Sequence, residues 1–583
     1  MGKSRREFLS DSGFFLTGLF TGGTVPHLLG NPTFESNFNF VSGKKNQDDE
    51  TELDADIIII GGGTGGCAAA MSALKLGLKV VMTEPTDWIG GQLTAQGVPP
   101  DENPWVETFG ASRSYQNYRT KVRNFYRNYY PLREELKSIE HLNPGGGSVS
   151  RIAHEPQVSV AVLEIIFAPW ISNGKLRILR EHVPVSVDTN DDFISAVKVK
   201  NKRNETTRWL KAPWFIDATE MGDLLKLGNI EYVVGAEGRD QTDELHAPET
   251  ANPENVQAFN LCFSLEYHHG ENFVMNEPEE YPFWKNYTPD LTPPWSGPLF
   301  SLTYSNPRTL EPRTLPFDPE EQTGWWLYRQ ILNHNNFKSG FYKGPVSCIN
   351  WPQHAYLLGK IVDEPAEQKE YHLKRAAQLN LSLIYWLQTE VPRPDGRTGW
   401  PGLRLRDDIY NTPDGMAKHA YIRESRRIDA RFTVLEQHVG TEARMQETGL
   451  SEDDVRATEF EDSVGIGAYR IDLHPSTRGN NYIDISSLPF QIPLGSLIPK
   501  RVRNLVPACK NIGTTHITNG CYRLHPVEWN IGESAGALIA FCKQRNTEPH
   551  KVYETKQLTQ DFQKTLGELG VRLEWPQDKV HAL

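Results

Sequence analysis

Apolar residues recur in this chain with two different spacings, and each spacing predicts a different kind of element. Asp56-Ile57-Ile58-Ile59-Ile60 is a short continuous apolar run bounded by glycine, the pattern of a parallel strand buried on both faces. Gly61-Gly62-Gly63-Thr64-Gly65-Gly66 follows at once, and Cys67-Ala68-Ala69-Ala70-Met71-Ser72-Ala73-Leu74 then reads as a helix that begins with small residues. Gly77 ends that helix, and Lys79–Glu84 is a second apolar strand closing on an acid. Further apolar strands are predicted at Trp214–Asp217 and from Leu505, the latter leading to a helix around Gly532-Glu533-Ser534-Ala535-Gly536. Strict alternation marks other segments. Residues 183–187 and 194–199 read as a hairpin joined by the polar turn Thr189-Asn190-Asp191-Asp192. Tyr469–His474 alternates so that Arg470, Asp472 and His474 share one face.

The first unit carries chemistry. Gly61, Gly63 and Gly66 form a Gly-x-Gly-x-x-Gly turn between a strand and a helix, with Glu84 closing the next strand, and that context makes the motif specific for a dinucleotide. Gly61 permits the tight turn, Gly63 lets the backbone approach a pyrophosphate, and Gly66 lets the helix pack close to the sheet. The helix N-terminus carries about half a positive charge, which suits phosphate. Glu84 can accept hydrogen bonds from a ribose diol.

The next residues choose between dinucleotides. The Gly90-Gly91 pair in Asp87–Leu93 resembles the second pyrophosphate contact of flavoproteins of the glutathione-reductase type. Asp217-Ala218-Thr219 resembles the element that closes the adenine side of such domains, with Glu220 where the shorter motif has glycine. Leu505–Lys510 through Gly536 resembles the strand, loop and helix that receive the flavin ring. With Arg151–Pro156 and the helix after it, Tyr421–Arg427, and Thr515-His516 with Arg523 and Pro526, the chain from about residue 55 to about residue 545 resembles the bacterial FAD-dependent oxidoreductase family related to glutathione reductase, the FAD-oxidored group. The resemblance is tight over 55–98, 150–240 and 415–540.

It implies an α/β protein: a discontinuous Rossmann-like FAD-binding domain with an inserted substrate or cap domain, holding FAD without a covalent bond. It also implies a cofactor site of Gly61, Gly63, Thr64, Gly66, Glu84, Gly90, Gly91, Gln92, Val183, Ala218, Thr219, Gly222, Asp223, Arg523 and Gly532, with no metal. The chain departs from the family at Ala508-Cys509-Lys510, where members commonly show Ala-Gly-Arg. A cysteine there replaces the glycine that approaches the ribityl chain, and lysine replaces arginine as a point charge.

The implied organisation is a first FAD-binding part over 54–265, a substrate or cap domain over 266–480, a second FAD-binding part over 481–545, and a polar helical tail over 546–583. Residues 1–30 look like a twin-arginine export signal, with Arg5-Arg6 followed by a glycine-interrupted apolar stretch, and 31–53 is a polar linker. Export to the periplasm or beyond is therefore expected.

Lys and Arg number 61 against 74 Asp and Glu, a net −13, which argues against a nucleic-acid partner. Six cysteines without a Cys-x-x-Cys pair argue against structural zinc and a thioredoxin-like dithiol. Outside the first thirty residues no apolar run is long enough to span a bilayer. Seven of the fourteen tryptophans lie between Trp284 and Trp400, and nine prolines fall within 281–320. These rigid aromatic loops read either as a wall that stacks on a ligand or, more simply, as core packing.

Oxidation of C–H by a flavin needs a hydride acceptor and usually a base. His516, His474 and His525 lie in segments the resemblance places near the flavin, and they rank in that order as base. Arg423, Glu424, Arg426 and Arg427 form a dense cluster. On a helix Arg423 would share a face with Arg426 or Arg427, either as an anion clamp or as an internal ion-pair network. Cys67 and Cys521 read as packing residues.

No second Gly-x-Gly-x-x-Gly follows a strand, so electrons are expected to come from a small-molecule substrate and leave to an acceptor the sequence does not name. The expected activity is that of an exported FAD-dependent dehydrogenase or oxidase acting on a small polar organic substrate. Two alternatives stay open: an RNA-modifying flavoprotein, and a secreted carbohydrate-active protein with a structural FAD.

Overall fold

The computed structural model describes residues 53–583. Arg5-Arg6, the apolar stretch after them and the polar segment up to residue 52 lie outside the described residues.

The chain enters a central sheet with β1 (Ile57–Ile60), crosses through α1 (Thr64–Lys75) and returns as β2 (Val80–Glu84). Helix α2 (Pro156–Ser172) leads to β3 (Leu176–Arg180). Strands β4 (His182–Asn190), β5 (Phe193–Asn201) and β6 (Thr207–Lys211) then form an antiparallel meander, one strand more than the hairpin pattern predicts. Strand β7 (Trp214–Asp217) rejoins the central sheet.

A second sheet is built from β8 (Phe263–Tyr267), β9 (Gln330–Leu332), β10 (Val346–Ile349) and β11 (Leu403–Leu405), with the long helix α3 (Ala366–Thr389) nearby in sequence. It is antiparallel, in the order β9-β10-β8-β11. After β12 (Ile471–Leu473), strand β13 (Leu505–Pro507) completes the first sheet, followed by α4 (His516–Tyr522) and α5 (His525–Arg545). The central sheet is parallel throughout, in the order β13-β7-β1-β2-β3.

The unbroken apolar run of β1 has a direct structural cause. Ile57 and Ile59 enter one hydrophobic core and Ile58 and Ile60 another, so both faces of the strand are covered. The cap region has its own core of Trp284, Trp326, Trp351, Trp386 and Trp400 with Phe263, Leu383 and Tyr356. All seven tryptophans between Trp284 and Trp400 are buried, so packing accounts for the aromatic loops, and Trp325 also faces a cavity. The tail after residue 545 docks through Phe562 and Leu566, and Phe562 lies 5.5 Å from Phe541 of α5.

Helices α1 and α5 approach so closely that their glycines touch backbone to backbone. A Cβ on Gly532 would lie 2.0 Å from the Gly65 carbonyl oxygen, and one on Gly536 would lie 2.1 Å from the Ala69 oxygen. Gly532 therefore acts in helix packing. Gly532→Ala is expected to destabilise the fold by about 1–3 kcal/mol through forced separation of the two helices. Thermal unfolding checks this, with Gly567→Ala as control, since a Cβ at Gly567 meets nothing within 4 Å.

Candidate active site

Two glycine turns meet at the N-terminus of α1. The first leaves β1 with Gly61 at φ +103°, where a Cβ would stand 2.1 Å from the Ala218 carbonyl oxygen at the end of β7. Only glycine meets both demands. A Cβ on Gly66 would lie 2.1 Å from the Gly61 oxygen. The second turn holds Gly90 at φ +112° and Gly91 at φ +52°. The Gly90 N–H donates to Gly62 O at 2.7 Å and the Thr64 hydroxyl donates to Gly90 O at 2.9 Å, which clips the two turns together.

Glu84 lies beneath this cradle. Its Oε1 accepts from the Thr86 N–H at 2.9 Å and the Thr86 hydroxyl at 2.7 Å, and burial pushes its carboxyl up to about 8. At the end of β7, Asp217 accepts from the Thr219 N–H (3.0 Å), the Thr219 hydroxyl (2.7 Å) and the Leu224 N–H (3.1 Å), which fixes the turn through Gly222 at φ +65°. Burial raises Asp217 to about 7.

A cavity of about 180 Å³ opens over these turns. Gly61, Gly63, Glu84, Gly91, Val183, Ala218, Thr219 and Asp223 line it, so the β4–β5 hairpin contributes a wall through Val183. Thr64, Gly66, Gly90 and Gly222 shape the turns without lining it. Gln92 lines neither this cavity nor the larger one that Arg523 lines: its side-chain amide donates to Glu528 Oε2 at 2.8 Å and to the Arg523 carbonyl at 3.0 Å. Gln92 Oε1 and Glu528 Oε1 are buried without a partner. A cradle that any Cβ would fill, a helix N-terminus beside it and two orphaned polar atoms beyond it fit an extended dinucleotide.

Residues 56–566 match the family model described as FAD dependent oxidoreductase. The chain belongs to this family. FAD is its cofactor. No curated protein matches the chain. Among solved structures, a geranylgeranyl bacteriochlorophyll reductase-like protein from Thermoplasma acidophilum aligns at 11% identity over 90% of this chain and 85% of its own, with a TM-score of 0.30. The myxobacterial chondrochloren halogenase aligns at 10% identity over 87% and 79%, with a TM-score of 0.32. L-proline dehydrogenase from P. horikoshii aligns at 16% identity over 32% of this chain, with a TM-score of 0.16, and the chain spans a quarter of that protein's length.

The second cavity measures about 920 Å³. Arg470, Asp472 and His474 line it from one face of the segment around β12, and Tyr421 and Arg423 line it from an extended segment that brings His419 to the smaller cavity. Arg329, Arg523 and Asp101 complete its charged wall. Arg523 pairs with Asp472 at 3.2 Å and Arg329 with Asp101 at 3.4 Å.

Arg423 is different. Its Nη1 donates to the Ala258 carbonyl at 2.7 Å and to Asn260 Oδ1 at 2.6 Å, its Nε has no partner, and among the described residues no carboxylate pairs with it. Burial lowers this guanidinium to about 10.

His474 stands edge-on to Tyr482 at 5.3 Å, with Nε2 3.7 Å from Asp472 Oδ2 and Nδ1 buried without a partner. Burial, reinforced by the Arg423, Arg523 and Arg329 cations, holds it well below its ordinary pKa, so the ring is neutral.

His516, ranked first from sequence, lines neither cavity. Its Nδ1 meets both Glu424 oxygens at 2.9 and 3.0 Å and its N–H donates to Glu237. Burial opposes the charge, yet the Glu424 carboxylate holds the imidazole above its ordinary pKa, which makes it a paired cation. The correction has a simple cause. His516 opens α4 and its side chain turns toward Glu424 and the Arg427 ion pairs rather than toward the large cavity. His525 is fully buried, accepts from the Asp101 N–H at 3.0 Å, and is lowered to about 4 by burial.

The Arg423–Arg427 cluster is also corrected, because it is not helical. Tyr421 exchanges backbone hydrogen bonds with Asn260, at 2.7 and 3.2 Å, and Arg427 pairs with Val233. Successive side chains along this extended path part company. Arg423 faces the cavity, Arg426 binds Asp363 and Asp223, and Arg427 binds Glu424 and Glu237. Arg426 and Arg427 thus form the internal ion-pair network, and Arg423 stands apart from it.

Sequence reasoning passed over Asp101, Arg329, Asn350 and Tyr482, which sit in segments without periodicity or motif. All six cysteines are buried and free, and burial pushes the Cys67 and Cys521 thiols up. Among the described residues no His, Cys, Asp or Glu group is placed to hold a metal, and no helix is long and apolar enough to cross a membrane.

Gly63 caps α1 at φ −63°, a backbone open to any residue, yet a Cβ there would meet Glu220 Oε1 at 2.9 Å inside the cradle. Gly63→Val is therefore expected to yield folded, colourless protein. The flavin absorbance of the purified variant, alongside its circular dichroism, decides this.

Proposed function

We propose that the protein oxidises an organic substrate bearing a carboxylate, which Arg423 binds in the large cavity while His474 accepts the proton released as the substrate is oxidised. The observation that carries this reading is the buried Arg423 guanidinium with no acidic partner. A buried cation without a counter-charge is costly, and an incoming carboxylate supplies one through two parallel hydrogen bonds. Arg329 and Arg523 are already balanced by Asp101 and Asp472, so they set the field of the cavity rather than compete for the anion.

FAD, when bound, supplies a two-electron acceptor. The protein's own groups do the rest. Arg423 orients the substrate, and the unpartnered Nδ1 of neutral His474 takes the proton that leaves an O–H or N–H as the neighbouring C–H is oxidised. The Tyr328, Tyr421, Tyr469 and Tyr482 rings that line the cavity exclude water from part of it. The electron acceptor is assigned no chemistry by these residues. Export by the twin-arginine route belongs to the same reading, since that route carries proteins already folded around a cofactor.

His474→Ala is expected to keep FAD and to slow anaerobic bleaching of the flavin by substrate about 10²–10⁴-fold, while His516→Gln leaves that rate within a few-fold of wild type. With His474 held low, the acid limb of the bleaching rate falls below the ordinary histidine value of about 6.5, and an acid limb at or above that value would remove His474 from the role.

Arg423→Met is expected to raise KM for carboxylate substrates with little effect on neutral ones in a dye-linked turnover screen. Equal effects on both would count against the anion clamp. Arg5→Lys with Arg6→Lys is expected to leave flavin-loaded protein in the cytoplasm, as fractionation would read.

A further inference from the structure

Lys510 and Glu220 form a second buried charge system, one that the oxidation chemistry does not use. Lys510 Nζ is fully buried, 2.5 Å from Glu220 Oε2 and 3.7 Å from Glu528 Oε2. The other oxygen of Glu220, Oε1, occupies a telling place. A Cβ on Gly63 would lie 2.9 Å from it and a Cβ on Gly91 2.7 Å from it, so it sits between the two glycine turns at the N-terminus of α1. That is where a dinucleotide places its diphosphate, because side chains are missing there and the helix end favours negative charge.

We propose that Glu220 is an internal stand-in for the FAD diphosphate: it holds Lys510 and occupies the glycine cradle in the free protein, and it gives up both when the cofactor enters. Two observations converge on this exchange. The first is positional, since one carboxylate oxygen touches both glycine turns while the other grips the lysine. The second is electrostatic. A diphosphate and the Glu220 carboxylate cannot share the cradle without a cation between them, and Lys510 is buried within one carboxylate's width of the contested position.

The exchange makes sense of a buried lysine. Without Glu220, Lys510 would keep only the longer contact to Glu528 Oε2 at 3.7 Å in the free protein, and weakening a buried ion pair is destabilising. With it, the cradle stays formed, and the cofactor binds against an internal competitor.

The test is retention of FAD. Flavin-loaded protein is diluted, and released FAD is read by recovery of its fluorescence. Glu220→Gln is expected to hold FAD about tenfold more tightly, since the competing state is removed from the equilibrium. Lys510→Met is expected to release FAD at least about tenfold more readily, and Lys510→Arg to restore retention. The double variant is expected to resemble Lys510→Met. Looser FAD in Glu220→Gln would make Glu220 a direct support of the cofactor and overturn the exchange, and so would unchanged retention in Lys510→Met. Circular dichroism of each variant separates loss of cofactor from loss of fold, and the lysine pair decides the matter if the Glu220 variant does not fold.

Discussion

Everything in this protein hangs on backbone meeting backbone around α1. Gly61 against the end of β7, Gly66 against Gly61, and Gly65 and Ala69 against Gly532 and Gly536 are contacts at distances no Cβ tolerates. They bring β1, β7 and the N-termini of α1 and α5 into one small region. Helix dipoles and unfilled backbone donors then converge there, and a cradle for a diphosphate follows from geometry alone. The cap, with its separate aromatic core, is carried on this frame and supplies the far walls of the large cavity.

The same crowding governs the charges. A fold with so many buried ionisable groups has to balance them, and most are balanced locally: His516 and Arg427 on Glu424, Arg426 on Asp363 and Asp223, Arg523 on Asp472. Against that background two groups stand out, and the proposals rest on them. Arg423 faces the large cavity with amide and carbonyl partners but no acid. Glu220 pairs with Lys510 through Oε2 and places Oε1 between the two glycine turns, where the proposed exchange puts the diphosphate. Imbalance and misplacement, rather than burial itself, single out the two groups on which the proposals rest, because buried pairs are common and an uncompensated buried charge is not.

Much of the architecture was legible in order along the chain. The four isoleucines of β1, the glycines after them, Glu84 at the end of β2 and the Asp217-Ala218-Thr219 strand end stand at spacings that a strand–turn–helix unit sets locally, so spacing identifies them, although Gly61 meets Ala218 only in the fold. The face of Arg470, Asp472 and His474 was legible for the same reason, since alternation in an extended segment sorts side chains without help from the rest of the fold. What spacing could not give was the partner of each charge. His516 looked like a base because its loop precedes the last helix. Only the arrival of Glu424, ninety-two positions away, makes it a paired cation.

The sequence by itself thus determined the parallel sheet, the nucleotide turn and the flavin class, because these rest on local patterns: period, glycine placement and an acid at a strand end. The tertiary structure alone decided which histidine faces the cavity, that the arginine cluster is extended and divided among three environments, and that Glu220 and Lys510 meet. Those outcomes depend on which distant segment packs against a residue, and the energy of a buried charge is set by that neighbour and not by its own place in the chain.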